Sequence, residues 1–73
     1  MLFFIVHDVL GRVRLRARYG FSLRKAQVLA DRLDAVGGIE GGRVNPRTGS
    51  VLLLYANDEA KRAAFLLLAV AAS

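Results

Sequence analysis

The chain has 73 residues, no cysteine and one histidine, and these counts narrow what it can do. We expect a single domain, residues 1–73, with a core so small that a partner would help to stabilise it. The lack of cysteine excludes disulfide frameworks, thiolate metal sites and cysteine nucleophiles. No serine or threonine lies in a recognisable nucleophile motif, and His7 is the only histidine that could serve as an acid or a base, so we predict a protein that is not an enzyme.

The charge is positive and unevenly distributed. Eleven Lys and Arg against six Asp and Glu give a net charge of +5, and four of the arginines lie in the first 21 residues. This favours an anionic neighbour, such as an acidic protein, a phosphate group or an anionic membrane. The short apolar N-terminal run has no basic segment before it, so we predict no secretory signal and expect a cytoplasmic location, with membrane association left open.

Two strands are predicted at the start of the chain. Residues 3–6 are aromatic or β-branched, which favours a short buried strand. After Gly11, basic and apolar residues alternate strictly, so a strand there would direct its apolar side chains to the core and its arginines to the other face. We expect these arginines to bind an anionic partner, the alternative being a solvated outer face. They are Arg12, Arg14, Arg16 and Arg18.

The rest of the chain predicts two helices and a hairpin. Ser22 can cap a helix that continues to the glycines at 37 and 38. A strand is predicted near Ile39–Asn45, and the Pro and Gly of the segment 45–49 favour a turn into a returning strand over 51–55. Asn57 or Asp58 would cap the last helix, whose apolar run over 63–72 is too short to cross a bilayer by itself.

This order of elements predicts an α+β fold. Residues 12–72 read as β-α-β-β-α, which corresponds to a ferredoxin-like two-layer sandwich with helices on one face of an antiparallel sheet and its usual last strand missing. Residues 3–6 would form an extra N-terminal strand. It would either take the missing place beside the arginine strand or pair with another chain, because the sheet would otherwise have an open edge.

Self-association is predicted from an excess of apolar residues. Residues 51–54 are apolar on both faces of a strand, although the outer face of an open sheet should be polar. The last helix is also apolar on more than one side. We therefore expect a homo-oligomer. The residues predicted to form the contact are Val51, Leu53, Tyr55, Phe65 and Leu68.

Two segments resemble a known family. The segment His7–Arg16 resembles its opening motif, H-x-x-x-G-R-x-R-x-R. A second motif of the family, G-V…N-x-x-T-G-S-V-L, resembles Gly38-Ile39 together with N-P-R-T-G-S-V-L over 45–52. The family with these two motifs is the cysteine-less branch of heavy-metal-associated domains. The resemblance covers roughly residues 3–70. Such domains occur alone or at the N-termini of metal-transporting P-type ATPases and of small membrane proteins encoded near them, some linked to bacterial iron storage. The resemblance implies a module that supports transition-metal transport or storage, with iron as one candidate, by self-assembly and by docking to an ATPase or a membrane.

The sequence also departs from that family. Metal-carrying members have C-x-x-C where the alignment places Ser22 and Lys25, which bind neither copper nor zinc, so the copper-chaperone mechanism does not transfer. Leu10 replaces the proline common before the glycine. Metal contact is instead assigned to His7, with Asp8 as an oxygen donor, and further ligands would come from a symmetry mate or a partner. The alternative for His7 is a structural histidine bonded to a loop backbone.

A rival function needs no metal. The chain would then be an oligomerising scaffold or an anion-binding adaptor that uses its arginines. Nucleic acid is a disfavoured partner, because RNA-binding sheets of this topology stack bases on strand aromatics. Here Tyr19 and Phe21 follow the arginine strand, and Tyr55 shares its face with Val51 and Leu53.

Overall fold

The computed structural model describes residues 3–72 and has an α+β fold. Four strands form one antiparallel sheet in the order β1-β2-β4-β3, and two helices cover one of its faces. The architecture is compatible with the predicted ferredoxin-like two-layer sandwich. The elements are β1 Phe3–Val9, β2 Arg12–Ala17, α1 Leu23–Asp34, β3 Ile39–Asn45, β4 Ser50–Tyr55 and α2 Asp58–Ala72.

The N-terminal strand pairs within the chain, which decides between the two predicted alternatives. β1 lies antiparallel to β2, from Phe3 opposite Ala17 to Val9 opposite Arg12, in the place left by the missing last strand. The strand extends three residues beyond the predicted segment 3–6, because pairing continues to the tight turn that joins β1 to β2. A register shift between Ile5 and His7 marks a bulge in it.

The core lies between the sheet and the helices. In β2, Val13 and Leu15 are buried and the intervening arginines are exposed, which confirms the alternation predicted for this strand. On β4 the buried positions are also alternate ones. The remaining large buried side chains come from the helices, mainly Leu29, Leu33 and Leu68.

Side-chain caps and a glycine turn set the ends of these elements. The Ser22 hydroxyl accepts a hydrogen bond from the backbone N–H of Lys25 at 3.1 Å, which confirms the predicted cap of α1. Of the two residues predicted to cap α2, Asn57 does so, since its Oδ1 accepts from the N–H of Ala60 at 2.8 Å. Gly49 ends the β3–β4 turn with φ +73°, a conformation that disfavours other residues.

The residues predicted for self-association lie elsewhere than expected. Val51, Leu53, Tyr55 and Leu68 are buried in the chain's own core, and Phe65 is half-buried against it. Four of the five are therefore unavailable to a second copy, and that part of the prediction is wrong. The sequence showed that both faces of β4 are apolar but not which face the helices cover. The face of β4 that they leave open carries Leu52 and Leu54.

Candidate functional site

The sheet face opposite the helices carries a group of exposed arginines. Arg12, Arg14 and Arg16 occupy alternate positions of β2, so adjacent members lie roughly 7 Å apart along the strand. Arg43 of β3 belongs to the same face, because Leu52 of β4 pairs with Arg14 on one side and with Arg43 on the other. We call these four residues the arginine face.

The neighbours of the β2 arginines across the sheet bear no negative charge. Arg12 lies between Val9 and Leu54, and Arg14 lies between His7 and Leu52. The third, Arg16, lies between Phe4 and Ser50, and its Nε donates a long hydrogen bond of 3.4 Å to the Thr48 carbonyl. Within residues 3–72 the one ion pair joins Lys61 to Asp8, so it does not neutralise an arginine.

The structure places the fourth predicted arginine beyond the strand. β2 ends at Ala17, and Arg18 follows it, beside Phe4, Val6 and Arg16 in a shallow depression. Sequence reasoning missed Arg43 altogether. The alternation that revealed the arginines of β2 is broken in β3 by two glycines and a register shift. The link between Arg43 and Arg14 also depends on the register of three strands.

The two predicted metal ligands do not come together. His7 is exposed opposite Arg14 and lines a depression with Val6, Arg12 and Arg14. Asp8 pairs with the buried Val13, so it belongs to the helix side of the sheet. Its Oδ2 lies 3.4 Å from Nζ of Lys61 on α2.

These surroundings do not fit a metal site. Arginines beside His7 repel a cation, and Asp8 is engaged by Lys61. In the described part of the chain, no group of three or more His, Cys, Asp or Glu side chains is placed to hold a metal ion. A structural zinc or iron site needs three or four ligands. Any metal bound through His7 would therefore need most of its ligands from another molecule.

Lys61 ties α2 to the edge of the sheet. Its Nζ reaches Asp8 and lies 5.2 Å from the centroid of the Tyr55 ring. Partial desolvation lowers the pKa of Lys61, but the charge of Asp8 and interactions with Tyr55 outweigh it, so the pKa lies above its ordinary value. Lys61 thus remains charged over the whole neutral range, and its role is to hold α2 against β1.

An apolar group projects from one end of the arginine face. Leu10, in the turn between β1 and β2, is 98% exposed, and the nearby Val9 and Leu54 are 45% and 42% exposed. We call these three residues the apolar tip. Val9 and Leu54 are the two cross-strand neighbours of Arg12, so the tip is continuous with the arginine face.

The chain matches no family model, no curated protein and no solved structure. Neither helix, over the residues described, combines the length and the apolar character needed to span a bilayer. The most distinctive surfaces of the described residues are the arginine face and the apolar tip.

Proposed function

We propose that this chain is a non-enzymatic docking module that binds an anionic partner through the arginine face. The observation that carries the proposal is the exposure of four guanidinium groups on the sheet face that the helices leave open. Like charges about 7 Å apart repel one another, and an anionic partner relieves that repulsion. Guanidinium groups also form charge-assisted, bidentate hydrogen bonds to carboxylate and phosphate groups.

A second copy of the chain is a poor occupant of this face. Two arginine faces in contact would bring like charges together, although the face also carries the apolar residues Phe4, Val9, Leu52 and Leu54. Self-association stays a prediction. The parts of the sheet open to it are the edge strands β1 and β3, whose outer backbone groups have no partner strand in the described residues.

The resemblance to cysteine-less heavy-metal-associated domains supports a particular class of partner for this docking. The partner would be an anionic membrane or the acidic surface of a metal-transporting ATPase, and the module would serve transition-metal transport or storage, with iron among the metals handled. Contact with the metal itself is a second candidate function. It is favoured by the exposed ring of His7, and it requires the partner to supply the other ligands.

Binding to heparin, a sulfated polyanion, tests the docking proposal. We compare the wild type with the pair Arg14→Gln/Arg43→Gln on the arginine face and with the pair Arg24→Gln/Arg62→Gln on the two helices. All four arginines are exposed, and both pairs remove the same charge. The logarithm of the association constant for heparin should decrease linearly with the logarithm of the salt concentration. We expect the magnitude of that slope to decrease by about one for each arginine-face residue removed, because fewer counterions are released on binding. We expect little change for the helix pair.

The control makes the outcome decisive. If both pairs weaken heparin binding equally, net charge alone drives the interaction and the arginine face is not a site. If the wild type does not bind heparin at low salt, the docking proposal fails.

A further inference from the structure

We propose that the anionic partner of the arginine face is a lipid surface, and that Leu10 inserts into it. This inference rests on the proposed function and names the partner. The arginine face alone does not distinguish among anions. The apolar tip does, because Leu10, Val9 and Leu54 lie at the same end of the sheet as Arg12.

The apolar tip combines one almost fully exposed leucine with two half-exposed residues on either side of an arginine. Single exposed hydrophobic residues are ordinary on proteins, so it is the extreme exposure of Leu10, with arginines next to it, that calls for an explanation. Here Val9 and Leu54 flank Arg12, and Leu10 precedes it by two residues, almost completely exposed. A leucine in that position gains its full transfer free energy when a partner covers it.

The turn that presents Leu10 is held in place by the core. The buried Tyr55 donates its backbone N–H to the Gly11 carbonyl at 3.0 Å and its hydroxyl to the Val9 carbonyl at 3.2 Å. Gly11 has φ +82°, which suits the tight turn. Leu10 is therefore presented outward by an anchored backbone.

The shape of the tip favours lipid over protein. A protein partner would need a preformed pocket for a leucine that projects from a turn, together with acidic groups placed around that pocket. A bilayer interface is fluid and accommodates a projecting apolar side chain wherever it enters. Apolar residues that enter the interface while basic residues contact anionic headgroups are the usual means of peripheral membrane binding.

The positions of the arginines agree with this arrangement. Arg12 lies within the apolar tip, and Arg14 and Arg43 occupy the next row of the sheet. With Leu10 among the acyl chains, these guanidinium groups would lie at the level of the headgroup phosphates. Single-stranded nucleic acid also offers phosphates, but it would stack on the exposed ring of Phe4 beside Arg16 and would gain nothing from Leu10.

Tryptophan fluorescence gives a direct test, because the chain has no tryptophan of its own. Leu10→Trp places a single reporter at the tip, and Leu66→Trp places a matched one on α2, where Leu66 is 65% exposed. We expect vesicles of equal parts phosphatidylcholine and phosphatidylglycerol to shift the emission of Leu10→Trp to shorter wavelength. Phosphatidylcholine alone should not shift it, and Leu66→Trp should not respond. A shift at Leu66 without one at Leu10 would overturn the proposal.

Vesicle co-sedimentation separates the lipid inference from the proposed function. We expect Leu10→Ser to reduce partitioning onto the anionic vesicles about tenfold while leaving heparin binding unchanged. Each arginine removed from the face should reduce partitioning about fivefold. If the wild type binds heparin but not the vesicles, the lipid inference is wrong and the docking function stands. If it binds neither, both are wrong. Tighter binding to polyuridylate than to the vesicles, unaffected by Leu10→Ser, would assign the face to nucleic acid instead.

Discussion

The two faces of β4 should respond very differently to the same substitution. Leu53 is fully buried between the sheet and the helices, whereas Leu54 is 42% exposed on the open face. Leu53→Ala removes buried methyl and methylene groups and leaves a cavity, which typically costs about 2–5 kcal/mol. Leu54→Ala creates no enclosed cavity, and we expect it to cost about 1 kcal/mol.

These costs are large compared with the stability of so small a domain. At roughly 0.05–0.15 kcal/mol per residue, a chain of 73 residues has a free energy of unfolding of about 4–11 kcal/mol. Leu53→Ala therefore removes a large part of it. We would measure urea unfolding by far-UV circular dichroism, since small domains usually unfold in a single step. The free energy of unfolding of so small a domain decreases by about 1 kcal/mol for each molar of urea. The urea concentration at the unfolding midpoint should therefore fall by about 2 M or more for Leu53→Ala and by about 1 M for Leu54→Ala.

Two results would refute this reasoning. If Leu53→Ala costs less than about 1 kcal/mol, the helices do not cover that face of β4. If Leu54→Ala costs as much as Leu53→Ala, the open face is also buried in solution. Light scattering at the same protein concentration would then show whether a second copy covers it, contrary to our argument from like charges.

Gly49, Lys61 and His7 each allow a further test. Gly49 has φ +73°, and a Cβ there would lie 2.6 Å from the carbonyl oxygen of Tyr19. Gly49→Ala should therefore lower the free energy of unfolding, measured with urea, by about 1–3 kcal/mol. An unchanged unfolding midpoint would contradict this turn geometry. The pKa of Lys61 is raised above 10.5, so its stabilising effect is complete below the unfolded-state pKa and is lost as the pH rises through the folded-state pKa. The difference in melting temperature between the wild type and Lys61→Gln should thus stay constant at about pH 7–9 and shrink above pH 10.5, not grow. Because His7 and Asp8 do not converge, native mass spectrometry with ferrous iron or zinc should show no stoichiometric uptake by the isolated chain. Uptake by the wild type that His7→Ala abolishes would restore a metal site at His7.

Local sequence patterns were enough to predict most of the secondary structure. The two-residue period of β2, the Ser22 cap of α1 and the glycine turn into β4 each depend on residues close together in the chain. Backbone geometry and short-range hydrogen bonds determine such features, so they can be predicted without knowing the fold. The order of these elements also predicted an antiparallel sheet with helices on one face.

The tertiary structure decided how these elements combine into surfaces. Both faces of β4 are apolar in sequence, and only packing against the helices buried Leu53 and left Leu54 open. Pairing of β1 with β2 placed His7 among arginines and Asp8 beside Lys61, which separated the two predicted ligands. The register of three strands likewise added Arg43 to the arginine face. Each of these outcomes depends on contacts between residues far apart in the chain, whereas a local pattern specifies only the alternation of side chains along a strand and not which face becomes the core.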